Sequence, residues 1–70
     1  MSVCKFRITK ATIALFLEEN RQVARTILEG SVIAVDKKLL QDDQLVDVTW
    51  EGKTVMMFTQ DIRSRGEEVD

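Results

Sequence analysis

Carboxylates are the side chains of this 70-residue chain most suited to chemistry, and five of them lie close together: Asp36, Asp42, Asp43, Asp47 and Glu51. Oxygen donors at this density suit a hard cation, but the segment lacks the Asp-x-Asp-x-Asp-Gly spacing and the closing Glu of a calcium loop. Paired carboxylates also do acid–base work, which requires a cleft that raises one pKa, and no sequence feature indicates such a cleft. We therefore expect a solvated acidic segment with no metal ion and no catalytic residue.

Nucleophilic catalysis is also disfavoured by composition. The chain has no histidine and one cysteine, Cys4, which excludes His-based acid–base catalysis, Cys/His zinc sites and a disulfide within the chain. Ser31 follows Gly30, but Gly-x-Ser-x-Gly is absent, and three isolated glycines do not make a phosphate-binding loop. We expect no enzyme activity, no cofactor and no small-molecule substrate.

The charge distribution favours a protein partner over nucleic acid. The net charge is -2, and Asp and Glu are concentrated in the second half of the chain. An acidic domain rarely offers an extended nucleic-acid surface. Lys5, Arg7 and Lys10 around Phe6 nevertheless keep a nucleic-acid-binding alternative open, because cations beside an aromatic ring bind single strands. We interpret them as a solvated face beside buried apolar residues.

No segment predicts membrane insertion. The longest uninterrupted apolar run is 13–17, far short of the roughly 20 residues that span a bilayer. Basic residues precede this run as in a signal peptide, but Glu18 and Glu19 stand where a cleavage site would be. We expect a cytoplasmic protein without membrane contact, since a single thiol is stable in a reducing compartment.

The candidate binding residues lie around a predicted hairpin: Trp50, Lys53, Met56 and Phe58. Trp50 and Lys53 flank its turn, where an indole and an ammonium group can stack, although a tryptophan there is also suited to capping the core. Met56 and Phe58 join Leu45 in an apolar patch on the outer face. These residues are our candidates for contact with a protein partner.

The hairpin itself has the clearest sequence signal. Two strand-like runs, 45–50 and 53–58, are separated by Glu51-Gly52, where Gly52 can adopt a positive φ at least cost. A two-residue turn puts Trp50 opposite Lys53 and continues in register to Leu45 opposite Phe58. One face then carries the predicted core residues Val46, Val48, Val55 and Met57, while Thr49 and Thr54 are exposed.

The flanking segments are predicted from shorter signals. Residues 59–65 read as one helical turn capped by Thr59, pinned by Ile62 and followed by Gly66. Residues 67–70 read as a polar tail and 32–35 as a strand. Phe6 and Ile8 indicate an N-terminal edge segment, and 36–44 a polar loop with two leucines turned inward.

Residues 11–29 fit two templates. As a helix, the segment has apolar residues at spacings near 3.6 and Gly30 just past its end. As strands, 12–17 and 22–28 flank a polar connection in which Asn20 tolerates a left-handed backbone. We favour the strands, because 19 of the 70 residues are Val, Ile or Thr and the later hairpin already indicates a sheet.

Two stretches of the chain carry a family resemblance. Leu45-Val46-Asp47-Val48-Thr49-Trp50-Glu51-Gly52-Lys53-Thr54-Val55-Met56-Met57-Phe58-Thr59-Gln60-Asp61-Ile62 resembles the ending of short uncharacterised bacterial proteins. Ile27-Leu28-Glu29-Gly30-Ser31-Val32-Ile33 is similar to their strand-turn-strand step, with Leu28-Glu29-Gly30 replacing a Pro-Ala-Gly turn. The order of elements resembles a Src-homology-3-type small barrel. The resemblance implies an all-β barrel with one short C-terminal helical turn, as a single domain over 1–70, and implies no activity.

The function we predict is a non-catalytic protein-interaction module whose partner includes a second copy of itself. A domain of this size buries only about 60% of the surface that its unfolded chain exposes, so self-association would add to its stability.

Overall fold

The computed structural model describes residues 2–69. Seven strands form most of this chain, β1 (Val3–Ile8), β2 (Thr12–Glu18), β3 (Arg21–Ile27), β4 (Val32–Asp36), β5 (Leu45–Trp50), β6 (Lys53–Phe58) and β7 (Gly66–Val69). A 3₁₀ helix, Lys37–Gln41, follows β4, and an α-helix, α1 (Thr59–Arg65), follows β6. With 60% strand, the mainly β prediction is confirmed, and the alternative of a helix over residues 11–29 is wrong.

The seven strands form one antiparallel sheet in the order β3-β2-β6-β5-β4-β1-β7. Within residues 2–69 the sheet is not closed, because β3 and β7 are its two edges, so the prediction of a closed barrel is not met. β1 lies between β4 and β7, which corrects its placement at an edge. Residues 67–69 were expected in a polar tail and instead pair with β1, while Asp70 lies outside the described residues.

The β2–β3 hairpin confirms the strand interpretation of residues 11–29. Its turn consists of Glu19 and Asn20, which both have positive φ, at 50° and 64°. Asn tolerates this backbone better than most residues with a Cβ. The strands are one residue longer toward the turn than the sequence predicts, since Glu18 and Arg21 still form a pair.

The β5–β6 hairpin has the register that the sequence predicts, from Trp50 opposite Lys53 to Leu45 opposite Phe58. Glu51 and Gly52 have φ of 49° and 77°, the two positive values of a type I′ turn. This turn matches the natural twist of the two strands. The alternation of side chains then follows without a break, because no residue is inserted between the paired positions.

The core lies on one face of the sheet. Twelve apolar side chains are buried there: Phe6, Ile8, Ala14, Phe16, Ile27, Ile33, Val35, Val46, Val48, Val55, Met57 and Ile62. Ile62 comes from α1, as predicted, and Leu39 and Leu40 of the 3₁₀ helix pack partly buried against the cluster. The backbone amide of Thr9 donates to the carbonyl of Arg65 at 2.8 Å, which ties the β1–β2 connection to the end of α1.

Thr59 does not cap α1 as the sequence predicts. Phe58 is the capping residue and makes no side-chain cap hydrogen bond. The fully buried Thr59 hydroxyl instead donates to the carbonyl oxygen of Asp42 at 2.7 Å and accepts from the amide of Gln44 at 3.1 Å. These two hydrogen bonds therefore connect residues 42–44, which precede β5, with the start of α1.

Gly66 follows α1 for a different reason from the predicted one. Its φ is -133°, which is extended backbone, so it does not form a left-handed helix cap. A Cβ at this position would lie 2.7 Å from the carbonyl oxygen of Ile62. The close approach between β7 and the helix backbone is what requires glycine here.

Replacing Gly52 with alanine is expected to destabilise the protein by about 1–2 kcal/mol, the cost of a Cβ in the left-handed region. There is open space around the site, so the loss would come from the backbone conformation and not from a clash. Urea unfolding of Gly52→Ala measures the loss. A Gly52→Ala protein as stable as the unmodified protein would contradict the turn geometry.

Thr59→Val keeps the shape of the side chain and removes both hydroxyl hydrogen bonds. We expect a loss of roughly 1–3 kcal/mol, because the Gln44 amide and the Asp42 carbonyl would lose their partner in a partly buried place. Thermal unfolding beside Thr59→Ser, which keeps the hydroxyl, separates this effect from packing. Equal stability of Thr59→Val and the unmodified protein would show that water replaces both bonds.

Candidate functional site

The outer face of the sheet carries a continuous set of apolar side chains on β2, β5 and β6. We call this set the apolar face, and its members are Ile13, Leu15, Leu17, Leu45, Met56 and Phe58. Ile13, Leu17 and Phe58 are 54%, 70% and 50% exposed, and Leu15 and Met56 are half-buried. The face is unusual because β2 is apolar on both sides, while its other side supplies Ala14 and Phe16 to the core.

Strand pairing brings these side chains together. Leu15 lies opposite Met56 where β2 pairs with β6, and Leu45 lies opposite Phe58 where β5 pairs with β6. The antiparallel direction of β2 and β6 also places Ile13 beside Phe58. The predicted patch of Leu45, Met56 and Phe58 is therefore present and is extended by one strand.

Two clefts flank Phe58. The first, of about 440 Å³, is lined by Ala11, Thr12, Ile13, Phe58, Asp61 and Arg65. The second, of about 330 Å³, lies toward the acidic segment and is lined by Asp43, Gln44, Phe58, Gln60 and Asp61. Phe58 and Asp61 of α1 therefore line both clefts. Recesses beside an exposed aromatic ring can receive the side chains of a protein partner.

The charges around the apolar face are mainly negative. Asp47 is exposed and lies opposite Met56 on the same side of the sheet. Asp43 is engaged in an ion pair with Arg63, which also donates to the carbonyl of Leu40 at 2.6 Å. Arg65 donates to the carbonyl of Ala11 at 3.0 Å. Both arginines therefore connect α1 to neighbouring segments. Arg65 lines the first cleft together with Asp61, so the charge that the strands themselves add to the apolar face is that of Asp47.

Trp50 and Lys53 lie on the opposite side of the hairpin from Met56 and Phe58. They share the side of Val48 and Val55, which are buried, because Trp50 follows Val48 by two residues and Lys53 precedes Val55 by two. Trp50 is half-buried, and its ring meets Phe16 edge-on, with centroids 5.5 Å apart and planes at 84°. The four candidate residues therefore do not form one site, and Trp50 caps one end of the core.

An exposed ion pair lies near this end of the core. The Arg25 guanidinium donates to both oxygens of Glu18, at 2.5 and 2.8 Å. This hydrogen bonding lowers the pKa of Glu18, and the charges of Arg25 and Lys53 lower it further. The contribution of this pair to stability is present at neutral pH and is lost as the pH falls through the lowered pKa. Arg25 faces the core side of an edge strand, a position in which charge discourages pairing with other chains.

The N-terminal cations Lys5, Arg7 and Lys10 are exposed, but the neighbouring ring of Phe6 is buried. Lys5 and Arg7 are exposed on the outer face of β1, and Lys10 is exposed in the following connection. Phe6 points to the opposite face, is 7% exposed and belongs to the core. The interpretation of these residues as a solvated cationic face beside a buried Phe6 is therefore confirmed, and the alternative of nucleic-acid binding loses its aromatic ring.

The remaining chemical candidates have structural roles. The Asp36 carboxylate accepts from the amide of Lys38 at 3.0 Å and caps the 3₁₀ helix. Cys4 is half-buried, and burial raises the pKa of its thiol, which keeps the less nucleophilic protonated form at neutral pH. Across residues 2–69, three or more metal-ligating side chains do not come together.

The apolar stripe of β2 is the part of this surface that sequence reasoning missed. Its signal is the run 13–17, in which every residue is apolar. A strand with one face in water would instead alternate apolar and polar residues.

The helices in the described part of the chain are too short or too polar to cross a membrane. No family model matches the chain, and no curated protein or solved structure matches it either.

Proposed function

We propose that this chain is a non-catalytic protein-binding domain that uses the apolar face, with Met56 and Phe58 at its centre, and that it also associates with itself. The observation that carries the proposal is the clustering of exposed hydrophobic side chains. Ile13, Leu17, Leu45 and Phe58, four of the seven large hydrophobic side chains exposed in the described residues, share this one face. Contiguous apolar patches of this kind mark interaction sites more often than isolated exposed residues do.

The shape of the face supports a protein partner over a small ligand. Its two clefts share the half-exposed ring of Phe58 and lie beside α1, at the end of β6. Small-molecule sites are concave and enclose most of their ligand. An exposed aromatic ring beside two recesses instead suits a partner surface that surrounds it, and aromatic residues at the centre of an interface contribute much of its binding energy.

The finer fold assignment is a proposal as well. We propose that the open sheet is a curled relative of the Src-homology-3-type small barrel. The support is the order of its elements, in which a tight hairpin, a short helix and a last strand follow one another. The hydrogen bonds of Thr9 and Ala11 with Arg65, which hold the β1–β2 connection against the end of α1, are consistent with this curl. A cytoplasmic location is proposed on the single free thiol.

The alternative function is nucleic-acid binding through Lys5, Arg7 and Lys10. The buried ring of Phe6 leaves only phosphate contacts to support it. Three cations on an acidic chain predict affinity no stronger than the non-specific range, about 10⁻⁴ to 10⁻⁶ M at physiological salt. Submicromolar binding that falls steeply with salt, and that is lost when these three residues are replaced, would favour the alternative.

Met56→Lys is expected to shift the protein toward monomer in sedimentation experiments, where the unmodified chain shows concentration-dependent association. The substitution puts a charge at the centre of the apolar face, opposite Asp47 and Leu15, without entering the core. Circular dichroism should show an unchanged fold. Leu17→Lys, at a position 70% exposed, gives a second test with even less effect on packing.

The matched control for these variants is Leu28→Lys. Leu28 is 66% exposed and lies outside the apolar face, beyond the end of β3. It should leave association unchanged. Association that is insensitive to Met56→Lys and Leu17→Lys, or equally sensitive to Leu28→Lys, would contradict the proposed role of the apolar face.

A further inference from the structure

We propose that the apolar face of one copy binds the outer face of β1 in a second copy. This inference rests on the proposed function, because it names the partner of the same surface. The second surface, which we call the β1 face, consists of the outward side chains Val3, Lys5 and Arg7 of β1 and Val32 of β4. Strand pairing places Arg7 directly opposite Val32.

The β1 face combines exposed apolar and cationic groups. Val3 and Val32 are 63% and 46% exposed, and Lys5 and Arg7 are exposed between them. Arg7 also approaches Glu67 at 3.8 Å, with both side chains more than half exposed. An exposed ion pair of this kind contributes little free energy in water, so Arg7 can leave Glu67 and contact a partner. This surface offers a partner both apolar contact and positive charge.

The apolar face carries the opposite charge. Along the described lengths of β2, β5 and β6, its outward positions hold one carboxylate, Asp47, and no cation. Asp61 lines both clefts beside Phe58, and the cation Arg65 lines the first of them, so Asp47 carries the net charge of this surface. The two surfaces therefore match in both hydrophobicity and sign, and such complementarity steers association and selects the partner.

Pairing of two apolar faces is disfavoured by the same charges. A self-complementary contact would bring the Asp47 carboxylates of both copies into one partly desolvated interface, and like charges there oppose binding. Contact with the β1 face places Lys5 and Arg7 opposite Asp47 instead. The contact is then heterologous, with each copy offering one surface of each kind.

The test mixes two variants that each lack one surface. Met56→Lys blocks the apolar face, and the double variant Lys5→Glu/Arg7→Gln blocks the β1 face without placing a new carboxylate beside Glu67. Each variant alone should associate at least about tenfold more weakly than the unmodified chain. An equimolar mixture should form a 1:1 heterodimer in sedimentation equilibrium and native mass spectrometry, since each variant retains one competent surface.

Several outcomes separate this inference from the proposed function. If the double variant associates as well as the unmodified chain while Met56→Lys does not, the apolar face is used but the β1 face is not its partner. If the mixture stays monomeric, or the unmodified chain is monomeric at every concentration, the heterologous contact is overturned. Leu17→Lys in place of Met56→Lys repeats the mixture with a variant at a more exposed site, and circular dichroism confirms that each variant is folded.

Discussion

Val48→Asp is expected to abolish folding. Val48 is 2% exposed and pairs with Val55, also 2% exposed, at the centre of the core face. A carboxyl group buried there must give up its charge, and protonating an aspartate at pH 7 costs about 4 kcal/mol, from its ordinary pKa. A core in a domain of this size rarely supplies more than roughly 3–5 kcal/mol, so the folded state would not persist. Circular dichroism and proteolysis should show an unfolded chain.

Thr49→Asp is the matched control, because it introduces the same group one residue away. Thr49 is exposed, and pairs with Thr54 on β6 and with Ala34 on β4. We expect a folded protein with a stability change within about 0.5 kcal/mol, as is usual at surface positions. A folded Val48→Asp protein beside an unfolded Thr49→Asp protein would show that the hairpin register is shifted by one residue.

Ile62→Ala is expected to destabilise the protein by about 2–5 kcal/mol. This loss is half or more of the free energy of unfolding that is usual for a domain of this size. Ile62 is fully buried and is the aliphatic residue through which α1 packs on the core. Its removal would leave a cavity between the helix and the sheet, and β7, which follows α1 directly, would lose part of its anchorage. The urea midpoint measures the loss.

Ser64→Ala tests whether the loss comes from packing and not from the helix itself. Ser64 is exposed on the same helix, and alanine favours helix, so this variant should be at least as stable as the unmodified protein. Hydrogen exchange in β7 should accelerate in Ile62→Ala and stay unchanged in Ser64→Ala. An Ile62→Ala protein with an unchanged urea midpoint would mean that α1 does not contribute to the core.

The predictions that hold concern residues close together in the chain. The β5–β6 register, the four core residues of that hairpin and the outward placement of Leu45, Met56 and Phe58 all follow from alternation on either side of Glu51-Gly52. A two-residue turn permits one register, and a side-chain period of two then assigns every residue to a face. Local geometry alone is enough to place this part of the candidate site.

The candidate site as a whole was less accessible. Trp50 and Lys53 are candidates for their place beside the hairpin turn, and Met56 and Phe58 for the outer apolar patch. The register that the structure confirms puts the two pairs on opposite faces. Ile13 and Leu17 were not assigned to the site at all. Their place depends on the pairing of Leu15 with Met56, which joins strands 41 residues apart in the chain.

Amino-acid pattern alone established a mainly β domain, its C-terminal hairpin, the short helix and the buried role of Ile62. These features depend on β-branched content, on one glycine turn and on alternation, which act over a few residues. The neighbours of β1, the conversion of residues 67–69 into a strand and the role of Thr59 emerged only on folding. They depend on which distant strands share backbone hydrogen bonds, and peptide groups offer the same donors and acceptors at almost every residue, so sequence type scarcely distinguishes one distant partner from another.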